Sequence, residues 1–201
     1  MSETNNNRLF KFDSIKSSLP LILSFAVLVL MAIQLYLQGR IWWCRFGDYA
    51  PYFNDAWSQH TSQHFFDPYT FTHILHGIIF FWIASVIFSK LSQAWRFFIA
   101  VFVEAAWEVL ENTNFIIDKY RENTASLDYF GDSIFNSVGD LLACAAGFWI
   151  ALKLGWWRSL ALFVLTEIIL IVWIHDSLFI NIILLIYPLD SLREWQTGKV
   201  Q

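Results

Sequence analysis

The chain alternates between long apolar runs and polar connections. The runs are Leu19–Leu37, Phe71–Ser89, Ala94–Asn112, Asp132–Leu152, Trp156–His175 and a short Leu178–Leu189. A helix needs about 20 mostly apolar residues to cross a hydrocarbon core. The pattern therefore predicts an all-α, polytopic transmembrane helical bundle of five to six spans. The last run is about two-thirds of the required length, so it is either a tilted or re-entrant segment or extends through Arg193. The long connections are Gln38–Thr70 and Thr113–Gly131, and the others are tight. The expected division is a polar, cytoplasmic N-terminal stretch over 1–18 and a single transmembrane domain over 19–201. The first run follows Arg8, Lys11 and Lys16, and no small-x-small cleavage pattern comes after it, which marks it as a retained anchor.

Loop charge gives the expected orientation. With the N-terminus inside, nine Lys or Arg residues fall on the cytoplasmic side (8, 11, 16, 90, 96, 153, 158, 193, 199) and four on the other (40, 45, 119, 121). Positive charge concentrates on the cytoplasmic face of membrane proteins. Six spans with both termini cytoplasmic satisfy this bias.

Polar residues inside the runs carry the candidate chemistry. Glu104, Glu108 and Glu111 are spaced i, i+4, i+7 and share one helical face, as do Asp132, Asn136 and Asp140 at i, i+4, i+8. His73 and His76 open an earlier run, and His175 and Asp176 close a later one. A charged residue at a helix centre costs roughly 2.5–3.5 kcal/mol on insertion scales, and such residues usually mark function. In the predicted topology these groups share the outer half of the membrane with every histidine, which points to one outward-facing cavity. Carboxylates this close need protons or a cation to offset them.

Glu108, Glu111, Asp132 and Asp140 are the candidate catalytic carboxylates. His73, His76 and His64 are the candidate metal ligands, and a divalent metal and a proton relay both suit the set. Arg121, Asn112, Asn136 and Asp128 are the candidate substrate-binding groups, with Arg121 able to grip a phosphate or carboxylate or to pair with Asp128 or Glu122. Glu167, alone in an apolar run, is balanced between a helix-to-helix hydrogen bond and a functional role. His60 and His64 lie in a wet loop, where a plain surface role is the commoner one.

Composition narrows the classes. Hydrophobic content is 57% and charged content 15%, which excludes an ordinary soluble domain. The net charge of −4 offers no basic patch for nucleic acid. Trp42, Trp43, Trp57, Trp95, Trp156, Trp157 and Trp195 lie near run ends, as interfacial anchors do. Cys44 and Cys144 are expected to be free, and neither has a second cysteine at metal-site spacing.

Several stretches together resemble a family of bacterial multi-pass inner-membrane proteins of unknown function. They are Gly39-Arg40-Ile41-Trp42-Trp43-Cys44, Ser62-Gln63-His64 through Asp67, Tyr69, His73 and His76-Gly77, and Glu104 through Glu108 to Glu111-Asn112. Tyr120-Arg121, Ser126 through Gly131-Asp132-Ser133, Asn136-Ser137, Asp140 and Tyr187-Pro188-Leu189 complete them. The resemblance covers nearly the whole chain from Gly39 and implies location in the inner membrane, with no assigned activity. A fainter similarity is to VanZ-like membrane proteins, through an acidic residue (Glu108 or Glu111), Arg121, Ser126 and Asp132-Ser-Ile-Phe-Asn136-Ser-Val-Gly139. The usual Gln after the acidic residue is missing here. That similarity implies envelope chemistry. The expected function is an envelope enzyme acting on a lipid or lipid-linked, anionic head group, with membrane lipids as partners. The alternatives are a proton-coupled transporter and a non-catalytic scaffold or assembly factor.

Overall fold

The computed structural model describes residues 18–126 and 128–198. The polar start through residue 17 lies outside the described residues. The helices are α1 (Ser18–Leu37), α2 (Thr70–Ile87), α3 (Gln93–Glu111), α4 (Asn114–Asn123), α5 (Ile134–Ile174), α6 (Leu178–Ile186) and α7 (Asp190–Gln196).

Short polar residues set the helix starts. Ser92, Ser133 and Ser177 turn their hydroxyls onto the amides of Trp95, Asn136 and Ile180, satisfying donors that a first turn leaves orphaned. Asp67 does the same ahead of α2, accepting from the Tyr69 amide at 2.7 Å and the Thr70 amide at 3.3 Å, while its other oxygen takes the Ser62 amide at 2.8 Å.

Among the described residues three helices, α1, α2 and α5, are long and apolar enough to cross a membrane. This corrects the expectation of five to six spans, and each difference traces to a particular run. The run ending at Asn112 becomes α3, which carries Arg96, Glu104, Glu108 and Glu111 and is too charged to qualify. The last run becomes α6, whose nine residues reach only about 14 Å. The runs Asp132–Leu152 and Trp156–His175 are the two arms of α5, a 41-residue element interrupted at Gly155 and counted once among the three. The placement of both termini on the cytoplasmic side depended on six crossings and falls with that number.

The break at Gly155 organises the bundle. Its φ of 72° and ψ of −178° lie where only glycine rests easily. The first arm, 134–154, runs alongside α2 in the same sense, with His73 facing Asp140 and Phe81 packing edge-on against Phe148. The second arm, 156–174, runs back against α2. Trp82 donates to Ser159 Oγ at 3.0 Å near the turn, and Phe71 meets Trp173 at the far end. Gly77 and Gly147 let α2 and the first arm touch backbone to backbone, since a Cβ on either would collide with the Cys144 or Ile74 carbonyl. Met31, Leu35, Leu75, Ile78, Phe97, Val101, Leu141, Phe148 and Phe163 fill the shared core. Apolar side chains of α1 such as Ile22, Phe25, Leu30 and Ile33 remain on the outside, as a lipid-facing helix requires.

Candidate metal centre

Four helix ends converge at one end of this bundle: the start of α2, the end of α3, and the start and finish of α5. Loop 38–69 is tied across them. The Ser133 amide donates to Ser62 O at 2.9 Å, the Ile134 amide to Ile41 O at 2.8 Å, and Gln63 Nε2 to Gly131 O at 2.8 Å. These bonds draw the polar faces of three helices onto a common interior.

Glu104 anchors the cluster. Its Oε1 lies 2.6 Å from His73 Nδ1, and both its oxygens lie 3.0 Å from His76 Nδ1. The carboxylate accepts, so Nδ1 of each ring carries the hydrogen and Nε2 is left with a lone pair. His73 Nε2 faces Asp140 Oδ2 at 3.8 Å, and on the other side of the ring Glu108 Oε1 lies 3.4 Å from Nδ1. A separation of 3.8 Å is too long for a hydrogen bond. One ion bound to both atoms at about 2.0–2.2 Å each would draw them together by a few tenths of an ångström. A carboxylate behind a ligating histidine is the usual support for such an ion.

A second group adjoins the first through a shared member. Glu108, Glu111 and Asp132 bring one oxygen each within 4.8 Å of one another, as do His73, Glu108 and Asp140 in their own group. Asn112 holds Asp132 in place. Its Nδ2 donates to Asp132 Oδ2 at 2.7 Å and its Oδ1 accepts the Asp132 amide at 2.7 Å. Tyr129 donates its hydroxyl to Asp132 Oδ1 at 2.8 Å. Burial nonetheless lifts the Asp132 carboxyl above its ordinary range, with the Tyr129 and Asn112 bonds pulling the other way. Among the described residues, both oxygens of Glu108, Oε2 of Glu111 and Oδ1 of Asp140 are buried without a hydrogen-bond donor.

The expectation of an outward-facing site is corrected by this burial. Glu104 and Glu108 are wholly buried, and Asp140, Asp132 and His73 nearly so. A cavity of about 90 Å³ reaches His73, Asp132 and Asp140. Its polar wall carries His73, His76, Glu111, Asp132 and Asp140, with Tyr69, Tyr120 and Tyr129 also in the lining, and its apolar side Leu178, Ile182 and Leu185.

The sequence-predicted residues divide accordingly. His73, His76, Glu108, Glu111, Asp132 and Asp140 come together. His64 joins Cys44 and His60 in a different group. Asn112 braces Asp132, while Asn136 donates to the His64 carbonyl at 2.8 Å and so ties down the loop. Arg121 does not line the cavity. Its Nε donates to Tyr129 O at 2.6 Å, its guanidinium lies over Phe130, and it pairs with Asp118 at 3.5 Å instead of with Asp128 or Glu122. Asp128 is exposed and accepts from Gln59. His175 packs edge-on to Trp195. Glu167 takes the structural role, accepting the Leu178 and Phe179 amides at the start of α6. The three cavity tyrosines carried no periodic signal, since each lies at a loop or on a short helix.

Fold and site together define a helical membrane protein with a buried His, Asp and Glu cluster able to coordinate a metal. The chain belongs to the family described as protein of unknown function DUF2585, which matches residues 35–198. It is 41% identical to a UPF0314 protein of Brucella anthropi, over 88% of this chain and 90% of that one. It is 40% identical to a UPF0314 protein of Paracoccus denitrificans (91% and 95% covered) and 36% to UPF0314 protein R03235 of Rhizobium meliloti (91% and 93%). No solved structure matches.

Proposed function

We propose that the protein is a metal-dependent enzyme of the bacterial inner membrane, acting on an anionic lipid or lipid-linked head group. The observation that carries this reading is the unpartnered set of oxygens on Glu108, Glu111 and Asp140, which fall in two adjoining buried groups with His73 and Asp132 that share Glu108. Several ionised carboxylates without donors are untenable in a low dielectric unless a cation joins them. His73, Glu108 and Asp140 would hold one divalent ion, and Glu108, Glu111 and Asp132 a second, with Glu108 common to both. Mixed imidazole and carboxylate donors suit Mn²⁺, Fe²⁺ or Zn²⁺. A metal held in this way would supply an activated water or polarise a phosphoryl oxygen.

The cavity supports an amphiphilic substrate, because its polar wall and its apolar α6 side meet in one small space. The acidic residue, Arg121, Ser126 and Asp132 in VanZ-like order are consistent with envelope chemistry. With Arg121 turned to Tyr129 and Asp118, and the Tyr129 and Tyr69 hydroxyls already given to Asp132 and Asp176, the anion would rest on the metal.

Elemental analysis of the purified protein tests the reading. Wild type is expected to carry stoichiometric metal in the interior cluster, and the Glu108→Gln/Asp132→Asn double variant to hold correspondingly less metal while still folding. Metal content unaffected by that double substitution would refute it.

A further inference from the structure

Loop 38–69 contains a second constellation that the proposed chemistry does not use. Cys44 Sγ lies 3.4 Å from His60 Nδ1, and His60 Nδ1 lies 3.4 Å from His64 Nε2. Asp48 Oδ2 approaches the same His64 Nε2 at 3.8 Å. Tetrahedral zinc with bonds of about 2.0–2.1 Å to nitrogen and about 2.3 Å to sulfur sets its ligand atoms about 3.3–3.6 Å apart. The two 3.4 Å separations fall within that range. The His-x-x-x-His spacing of 60 and 64 is also one that zinc sites use.

The surroundings aim these atoms at one point. His64 Nδ1 lies 2.6 Å from the Ala50 carbonyl, which holds the ring hydrogen on Nδ1 and frees Nε2 as a ligand. Asp48 Oδ1 accepts the Ala50 amide at 2.9 Å, leaving Oδ2 free to turn inward. Phe53 stacks on both imidazoles, with centroids at 4.6 and 5.2 Å, and so fixes their planes. Cys44 and His64 are buried, while Asp48 opens to solvent and provides the entry path.

We propose that Cys44, His60 and His64 bind one structural Zn²⁺, with Asp48 as the fourth ligand. The loop so stapled is the one that supplies Ser62 and Thr61 to the cavity wall and closes over the start of α5 through Ser133 and Asn136. Zinc here holds the cover of the interior cluster in place, and it does so whether or not that cluster is catalytic. Binding releases the Cys44 thiol proton, as thiolate ligation requires.

Cobalt titration of the full-length protein in detergent tests the site, because Co²⁺ reports thiolate ligation through a charge-transfer absorption. Wild type is expected to show that band with tetrahedral visible absorption, and Zn²⁺ to displace it. Cys44→Ser should abolish the band, and His60→Ala should weaken zinc binding by at least about 10-fold. The Glu108→Gln/Asp132→Asn variant should retain the band in full. A wild-type titration without a thiolate band, or a band that survives Cys44→Ser, overturns the proposal. A measurement on wild type alone guards against misfolded variants. Zn²⁺ should slow alkylation of Cys44 at least about 10-fold and a chelator should restore it, whereas equal rates with and without zinc would again overturn it.

Discussion

Asn112 turns both ends of its amide onto Asp132, which is why a residue first read as a substrate contact is better understood as a brace. Replacing it by Ala removes the donor to Asp132 Oδ2 and the acceptor of the Asp132 amide together, and leaves buried polar atoms unpaired. Such losses cost about 1–3 kcal/mol, so Asn112→Ala should lower the thermal midpoint in detergent by several degrees. A midpoint equal to wild type would show that Asp132 is not held in this way. Asp176 argues in terms of pH. It is buried and accepts from Tyr69, Asn181 and the Ser177 amide, yet burial dominates and its pKa rises from 3.8 to about 7. The folded state thus binds a proton more tightly than the unfolded state. The stability from this group is complete below about pH 4 and is lost as pH rises toward 7. Asp67 and Asp132 are shifted in the same direction and contribute to the same slope. Asp176→Asn should flatten the fall in midpoint between pH 4 and 7, and an unchanged slope would rule out its share.

Helices reveal why the sequence spoke clearly about some elements and not others. Uninterrupted apolar composition located α1, α2 and both arms of α5 to within a few residues, because burial in lipid depends on composition more than on register. The charge-bearing α3 was placed correctly as a helix and wrongly as a span: its three glutamates serve the interior cluster, at the expense of membrane-crossing character. Spacing of i, i+4, i+7 sufficed to put Glu104, Glu108 and Glu111 on one face, while only the packing of α2 against α3 brings His73 to them. Nothing in the spacing distinguished His64 from His73 and His76, because their separation is set by how loop 38–69 folds back on the start of α5. The turn at Gly155 was legible only as a gap between two runs. Its positive φ makes a concrete expectation: Gly155→Ala meets no steric obstacle, since a Cβ there has open space, yet it should still cost about 1–3 kcal/mol from backbone strain alone. Gly147→Ala should destabilise for the opposite reason, by forcing the first arm away from the Ile74 carbonyl with ordinary backbone angles. Thermal midpoints of the two variants, with a Leu165→Ala control on the exposed face, would separate the two causes.

At the scale of the whole molecule, four helix ends and a folded loop are gathered around side chains that repel one another. Such an arrangement is stable only if something neutralises Glu108, Glu111 and Asp140, and the choice between a metal and protons has a thermodynamic signature. An ion that binds only the folded state stabilises it by about 2.7 kcal/mol at a concentration 100 times its dissociation constant. For a chain of this size that corresponds to about 5–10 °C. Wild-type protein stripped with a chelator should therefore melt about 5–10 °C lower than the metal-loaded form. Glu108→Gln removes the charge whose two oxygens lack donors while keeping its volume, so in chelator it should melt at or above wild type. On adding Mn²⁺ the order should reverse, with wild type rising and Glu108→Gln staying where it was. Mn²⁺ is chosen because its preference for carboxylate and imidazole leaves the thiolate site of loop 38–69 largely empty. If the two proteins instead respond equally, Glu108 is not a ligand. If neither responds to any divalent ion, the cluster is held by shared protons, and the glutamates of α3 join Glu167 as structural hydrogen-bonding groups.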